Sequence, residues 1–246
     1  MTHLNKIKTG FEVYDHELGG MEKGQLILVE GTPCNGKASF ALSLVDNLCN
    51  NNEGTCLYFS VETNPNNLFK KILKKHCEIK SLDQMSTSDW EDIAKEGRKL
   101  SEYNLIIEGY EVTVEKILSK SIEVACSEQI SAIVVDGVSY IADSRGRRIY
   151  SVYPILQKLK ELAIVLNCPV IAYTTLSRFR KKSDEDCSEN IEYYNATNSF
   201  KAVDEVFYLY HEETSGNDGD NKKKINVGTM NYVSGKSCSF EMEFAC

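Results

Sequence analysis

The chain has 246 residues with a formal net charge of -8, and its apolar share of 42% is ordinary for a folded protein able to bury a full core. No apolar run approaches the ~20 residues needed to cross a bilayer, and the opening Met1-Thr2-His3-Leu4-Asn5-Lys6 lacks the apolar stretch of a signal peptide, so the reading is a cytoplasmic protein with no membrane partner. An acidic total argues against nucleic-acid binding over the whole surface while leaving room for a local basic strip.

Short apolar runs alternate with longer amphipathic ones, the pattern of an α/β domain with a mostly parallel sheet flanked by helices. Gln25 to Glu30 reads as a fully buried strand, and Lys37 to Leu48 as the helix after it, with Phe40, Leu42, Leu44, Val45 and Leu48 on its apolar face. Thr55 to Ser60 is the next strand and Asn66 to Lys75 the next helix. Ser88-Asp89-Trp90-Glu91 has the form of a capping box, so another helix starts there, with Trp90, Ile93 and Ala94 expected against the core. Asn104 to Glu108 reads as a strand, Val112 to Cys126 as a helix, and Ser131 to Asp136 as the most apolar strand of the chain.

A polar, arginine-bearing loop follows, then a long helix from about Ser151 to Asn167 and a buried strand from Pro169 to Thr174. Residues 177 to 200 have no clear period and read as a mobile loop with a short helix. Glu205 to Tyr210 is a further strand. Glu212 to Lys224 is polar, Gly-containing and aperiodic, and is expected to be a disordered loop. Lys224 to Thr229 and Ser237 to Phe244 close the chain as a hairpin. With no internal repeat and no long linker, residues 1 to 246 are expected to form a single domain.

Nine cysteines are an odd number and no two have C-x-x-C spacing, which favours reduced thiols over disulfides or a zinc site. The strongest chemical signal is Gly31-Thr32-Pro33-Cys34-Asn35-Gly36-Lys37-Ala38. It fits G-x-x-x-x-G-K, the Walker A pattern, between a buried strand and an amphipathic helix. Glycines let consecutive N–H groups face phosphate oxygens, the helix offers its positive end, and Lys37 adds a full charge. Ala38 stands where a Ser or Thr hydroxyl usually holds magnesium. Ser39 is adjacent, but one step along a helix turns its side chain by ~100°. Asp136 ends an apolar strand and is the candidate carboxylate for magnesium. Glu62 lies just past Thr55–Ser60, where a carboxylate would polarise an attacking water. The expected cofactors are therefore ATP and Mg.

Several segments together resemble the DnaB-type replicative DNA helicases, in their C-terminal RecA-like ATPase domain. They are Thr9-Gly10-Phe11 with Leu18-Gly19-Gly20, Gly24-Gln25-Leu26-Ile27, Phe59-Ser60-Val61-Glu62 and Ile133-Val134-Val135-Asp136. Leu159-Lys160-Glu161-Leu162-Ala163, Pro169-Val170-Ile171-Ala172 and Leu176-Ser177-Arg178 follow in the same order. The resemblance implies a RecA-like P-loop NTPase fold and ATP hydrolysis coupled to single-stranded DNA in replication. It also implies a homo-oligomer, a ring of six, working with replication proteins. Its strand-gripping loops fall here on Arg145, Arg147 and Arg148, and on Arg178, Arg180, Lys181 and Lys182, two basic loops suited to phosphates.

The departures from that family bear on activity. Its DNA-sensing glutamine is Thr175 here, its Lys-x-Arg element aligns with Thr229-Met230-Asn231, and a usual arginine aligns with His211. Losing an arginine that reaches a neighbour's nucleotide removes transition-state charge stabilisation. The match begins almost at Met1, without the family's N-terminal helical domain. Two rival readings stay open: a catalytically degenerate nucleotide-binding module with a regulatory or structural role, and a KaiC-like or recombinase-like ATPase of the same superfamily.

Overall fold

A computed structural model of the chain describes residues 6–31, 36–51, 54–77, 87–141, 152–175, 202–210 and 222–245. A two-stranded antiparallel pair, β1 (Lys6–Ile7) and β2 (Met21–Glu22), brackets helix α1 (Glu12–Glu17). The main sheet and its helices follow in chain order: β3 (Leu26–Gly31), α2 (Lys37–Asn51), β4 (Thr55–Ser60), α3 (Pro65–Cys77), α4 (Thr87–Ser101), β5 (Leu105–Glu108) and α5 (Val114–Ala125). Then come β6 (Ile130–Asp136), a 3-10 turn (Val138–Tyr140), α6 (Tyr153–Leu166), β7 (Val170–Thr175), β8 (Glu205–Tyr210), β9 (Lys222–Asn231) and β10 (Ser237–Ala245).

The eight strands of the main sheet lie in the order β10-β9-β8-β3-β7-β6-β4-β5. Strands β8, β3, β7, β6, β4 and β5 are parallel, and β9 and β10 add antiparallel to β8. Alternate residues of a strand face opposite sides, so a strand buried on both sides reads as continuously apolar. Ile27, Val29, Cys56, Tyr58, Ala132, Val134, Ile171 and Tyr173 join one core with α1, α2 and α3. Their neighbours Leu26, Leu28, Leu57, Phe59, Ile133, Val135, Val170 and Ala172 join the other, beneath α5 and α6. At about 1.5–3 kcal/mol per large apolar side chain buried, these two layers are the main stabilising term.

Sequence patterning locates the strands and helices of the sheet to within a few residues, and local chemistry sets the ends. Thr113 caps α5 by accepting the Lys116 N–H at 3.2 Å. Asn167 ends α6 in the left-handed conformation (φ 50°). Lys160 reaches from α6 to the Gly24 carbonyl (2.8 Å) and to Asp204 (2.7 Å), while Asp204 accepts the Leu26 N–H, which pins the entry of β3.

Three expectations change. Trp90 is 61% exposed and Ala94 is also exposed, while Ile93 is half-buried and Leu100 is buried. Ile93 and Leu100, seven residues apart, share the covered face, and Trp90 and Ala94 stand to one side of that line. The lysines at the end of the expected loop Glu212–Lys224 belong to β9, as Lys222, Lys223 and Lys224 pair in register with Ala245, Phe244 and Glu243. Lys224 contacts Glu241 at 2.9 Å and Glu243 at 3.6 Å, and opposite charges across the pair admit a lysine run to the strand. The third change is at the N-terminus, where patterning gave no element. There Asp15 accepts from the Thr9 N–H (3.0 Å) and the Gly10 N–H (2.9 Å), Tyr14 is fully buried, and α1 forms. Residues 177–200, the expected mobile loop, lie outside the described residues.

Candidate nucleotide site

Strand β3 ends at Gly31, and helix α2 begins at Lys37. Gly36 holds φ +72°, a left-handed value that favours glycine, and its carbonyl accepts the Phe40 N–H at 2.9 Å as the first turn of α2 closes. A Cβ at Gly31 would lie 3.2 Å from Leu209 Cβ and 3.3 Å from the Leu209 carbonyl, so the chain leaves β3 where a side chain would crowd β8. The Lys37 ammonium donates to the Gly31 carbonyl at 2.9 Å, bridging the two ends of the loop. Thr32, Pro33, Cys34 and Asn35 lie outside the described residues. Ala38 is exposed and Ser39 half-buried on the first turn of a 15-residue helix with no acidic residue in that turn. That helix end favours an anion.

Beneath it, on the α2 face of the sheet, Asp136 continues the series Ala132 and Val134 along β6. It pairs in register with Ser60 of β4. Two strand spacings, about 10 Å, separate β6 from β3, and by register Asp136 stands level with Val29, two residues before Gly31. Asp136 is 7% exposed, and its carboxylate accepts the backbone N–H groups of Val61 and, at 2.8 Å, of Glu62. The Tyr58 hydroxyl donates to its other oxygen at 3.1 Å. Burial pushes the Asp136 carboxyl above its ordinary range. The two N–H groups and the Tyr58 hydroxyl pull it partly back, and the nearby Glu62 adds to the rise.

Glu62 itself is exposed, in the turn between β4 and α3. Gly137 follows Asp136 with φ +65°, and a Cβ there would lie 3.1 Å from Glu62 Cβ. The two strand ends therefore bring Asp136 and Glu62 together at the edge of the sheet where Gly31 ends β3. Sequence reading missed Tyr58, Ser60 and Gly137, which shape this corner. The available signal was alternation: Tyr58 and Ser60 lie on the same face of β4 as Asp136 on β6.

The family model described as the DnaB-like helicase C terminal domain matches residues 6–245. The chain belongs to that family. A DnaB replicative helicase of Nostoc sp. is 28% identical over 182 residues, 71% of this chain and 21% of the relative. The DnaB replicative helicase of Geobacillus stearothermophilus is 25% identical over 232 residues, 91% of this chain and 51% of the relative. The chain thus spans at most about half the length of these relatives. A solved ATPase domain superposes with a TM-score of 0.81 at 18% identity, covering 96% of this chain and 87% of the other. A DnaB-like replicative helicase, solved in work on its interactions with primase, gives 0.79 at 20% identity, covering 96% and 59%. These superpositions establish the RecA-like ATPase fold expected from the sequence.

Within this DnaB-family domain, the two basic loops lie outside the described residues, and with them Arg145, Arg147, Arg148, Arg178, Arg180, Lys181 and Lys182; so does His211. Thr229 and Asn231 are described and turn inward. Thr229 is 4% exposed and its hydroxyl lies 3.4 Å from Cys238 Sγ. Asn231 is buried, donates to Glu205 at 3.1 Å, and accepts from the Val233 and Ser234 N–H groups at the β9–β10 turn. Among the described residues no group of three His, Cys, Asp or Glu side chains is arranged to hold a metal ion. Nor is any described helix long and apolar enough to cross a membrane.

Proposed function

We propose that residues 1–246 act as one nucleotide-binding domain that takes up ATP with magnesium and hydrolyses it slowly, in contact with single-stranded DNA during replication. The observation that carries this reading is the corner just described: Gly36 and Lys37 open α2 from β3, and Asp136 and Glu62 meet on neighbouring strand ends of the same edge. The loop positions Gly31 to Ser39 would wrap the phosphates, with Lys37 exchanging the Gly31 carbonyl for phosphate oxygens. Glu62, exposed beside Asp136, would orient a water for attack.

The residues fit a magnesium ion that arrives with the nucleotide rather than a resident one. Asp136 is a single carboxylate with both oxygens already accepting hydrogen bonds, and Ala38 contributes no hydroxyl. Magnesium keeps most of its waters and needs only one or two carboxylates besides phosphate oxygens. When bound, it would supply positive charge to the β- and γ-phosphates. The basic loops would hold the strand's phosphates, and a ring of six copies with other replication proteins in the cytoplasm is the assembly this family reading carries.

Titration with fluorescent ATP tests uptake, and phosphate release with and without single-stranded DNA tests turnover. Saturable uptake lost in Lys37→Ala is the expected result, and no uptake by the unaltered chain would refute the reading. One observation favours the degenerate-module alternative: Asn231 stands at the Lys-x-Arg position of the resembled family, with its amide committed to Glu205 inside the chain. Uptake without any phosphate release would select that alternative.

A further inference from the structure

Asp136 and Glu62 are joined through the backbone rather than side chain to side chain. One Asp136 oxygen, Oδ1, accepts two consecutive N–H groups of the β4–α3 turn, Val61 and Glu62. The terminal torsion of an aspartate is broad and roughly two-fold, so holding one oxygen leaves the carboxylate plane soft. The other oxygen, Oδ2, is held by the Tyr58 hydroxyl at 3.1 Å. Ser60 Oγ also lies 3.5 Å from Oδ2, but its single proton goes to the Thr63 carbonyl, within the same turn. Tyr58 is thus the side-chain donor in place for Oδ2, and its ring is 2% exposed inside the α2-side core. The hydroxyl is aimed by packing.

We propose that Tyr58 is a positioning residue for the nucleotide site: by fixing the Asp136 carboxylate it fixes the Val61–Glu62 backbone, and so the direction of the Glu62 carboxylate. This deepens the proposed function and rests on it. Its chemistry is the retention of two N–H···O bonds at a turn, with no bond made or broken. The chain also contains its own control. Tyr173, on β7 and on the same face of the sheet, has a hydroxyl as deeply buried but with no hydrogen-bond partner among the described residues. Removing that hydroxyl deprives no carboxylate of a donor.

Tyr58→Phe and Tyr173→Phe are compared with the unaltered chain by amide hydrogen exchange, fluorescent-ATP affinity and steady-state turnover. In Tyr58→Phe, exchange at Val61 and Glu62 is expected to rise about tenfold in the nucleotide-free protein, and kcat to fall about tenfold, the loss of one hydrogen bond to a charged group. KM and ATP affinity should stay within about twofold, and Tyr173→Phe should match the unaltered chain in every readout. If Tyr58→Phe does not fold, Asp136→Asn is expected to loosen the same two amides. Exchange at Val61 and Glu62 that is the same in the tested variant as in the unaltered chain overturns the proposal. A chain that takes up no ATP refutes the function reading instead, and is recognised before any variant is made.

Discussion

The side-chain amide of Asn231 donates to the Glu205 carboxylate at 3.1 Å, in a cluster closed on its other side by the Tyr14 hydroxyl at 3.0 Å. Glu205 is 1% exposed, and its second oxygen has no hydrogen-bond partner among the described residues. Burial pushes this carboxyl up to about 7, against the pull of Tyr14, Asn231 and Lys6. Between about pH 4.5 and pH 7 the folded chain therefore keeps a proton here that the unfolded chain releases.

A carboxyl with a raised folded value costs stability as it ionises, so the penalty is absent below about pH 4.5 and complete above about pH 7. The size is about 3 kcal/mol, from 1.36 kcal/mol per unit. Urea unfolding at pH 5 and pH 8 should show a fall in stability on going to the higher pH. Glu205→Gln, which keeps an acceptor for Tyr14, should flatten it; an equal fall in the variant would contradict this account.

Asp46 on α2 behaves in the opposite sense. Burial works to raise its carboxyl, but Lys75 at 2.9 Å, Tyr103 at 2.8 Å and His76 at 2.8 Å together hold it below its ordinary value. Its contribution is present above about pH 4 and is lost as pH falls below that. Asp46→Ala leaves these donors without their acceptor and should cost about 2–3 kcal/mol at pH 7 in urea unfolding. The loss should narrow at pH 3.

Much of this was legible in the sequence because the strands are buried on both faces. Val134 and Val135 face different cores, yet both had to be apolar, and the run around them announced the strand. The same logic located Asp136 as the first polar residue beyond it. The corner around Asp136 was harder to read. Tyr58 looks like one more core aromatic until the register of β4 against β6 brings its hydroxyl to the carboxylate, and register is a long-range property. The entry segment escaped for a related reason: Tyr14 and Asp15 have no periodic partners nearby, and their contacts lie on β8 and in the Thr9–Gly10 turn.

Ala38 sits on the exposed first turn of α2, where a hydroxyl would meet no obstruction from the core. Ala38→Thr should raise magnesium-dependent ATP affinity about tenfold and leave magnesium-free affinity unchanged. Isothermal titration with and without the metal measures both. A gain equal in the two conditions would mean that the hydroxyl does not act through magnesium.

Gly20 has φ +107°, and a Cβ there would lie 2.6 Å from the Ile7 carbonyl oxygen. Neither the backbone nor the β1–β2 pair can yield cheaply. Gly20→Ala should lower the thermal midpoint by roughly 5 °C, about 2 kcal/mol in a chain of this size. A melting curve that overlays the unaltered chain would show that this pair deforms freely.

Phe40, three residues after Lys37, packs at 5.1 Å on Phe11, which in turn packs at 5.4 Å on Phe240 of the last strand. One stack of rings thus leans both extremities of the described chain on the helix that presents the lysine. Anyone shortening the final hairpin, or attaching a fusion partner next to it, is working on the foundations of α2 and Lys37 from the far end of the polypeptide.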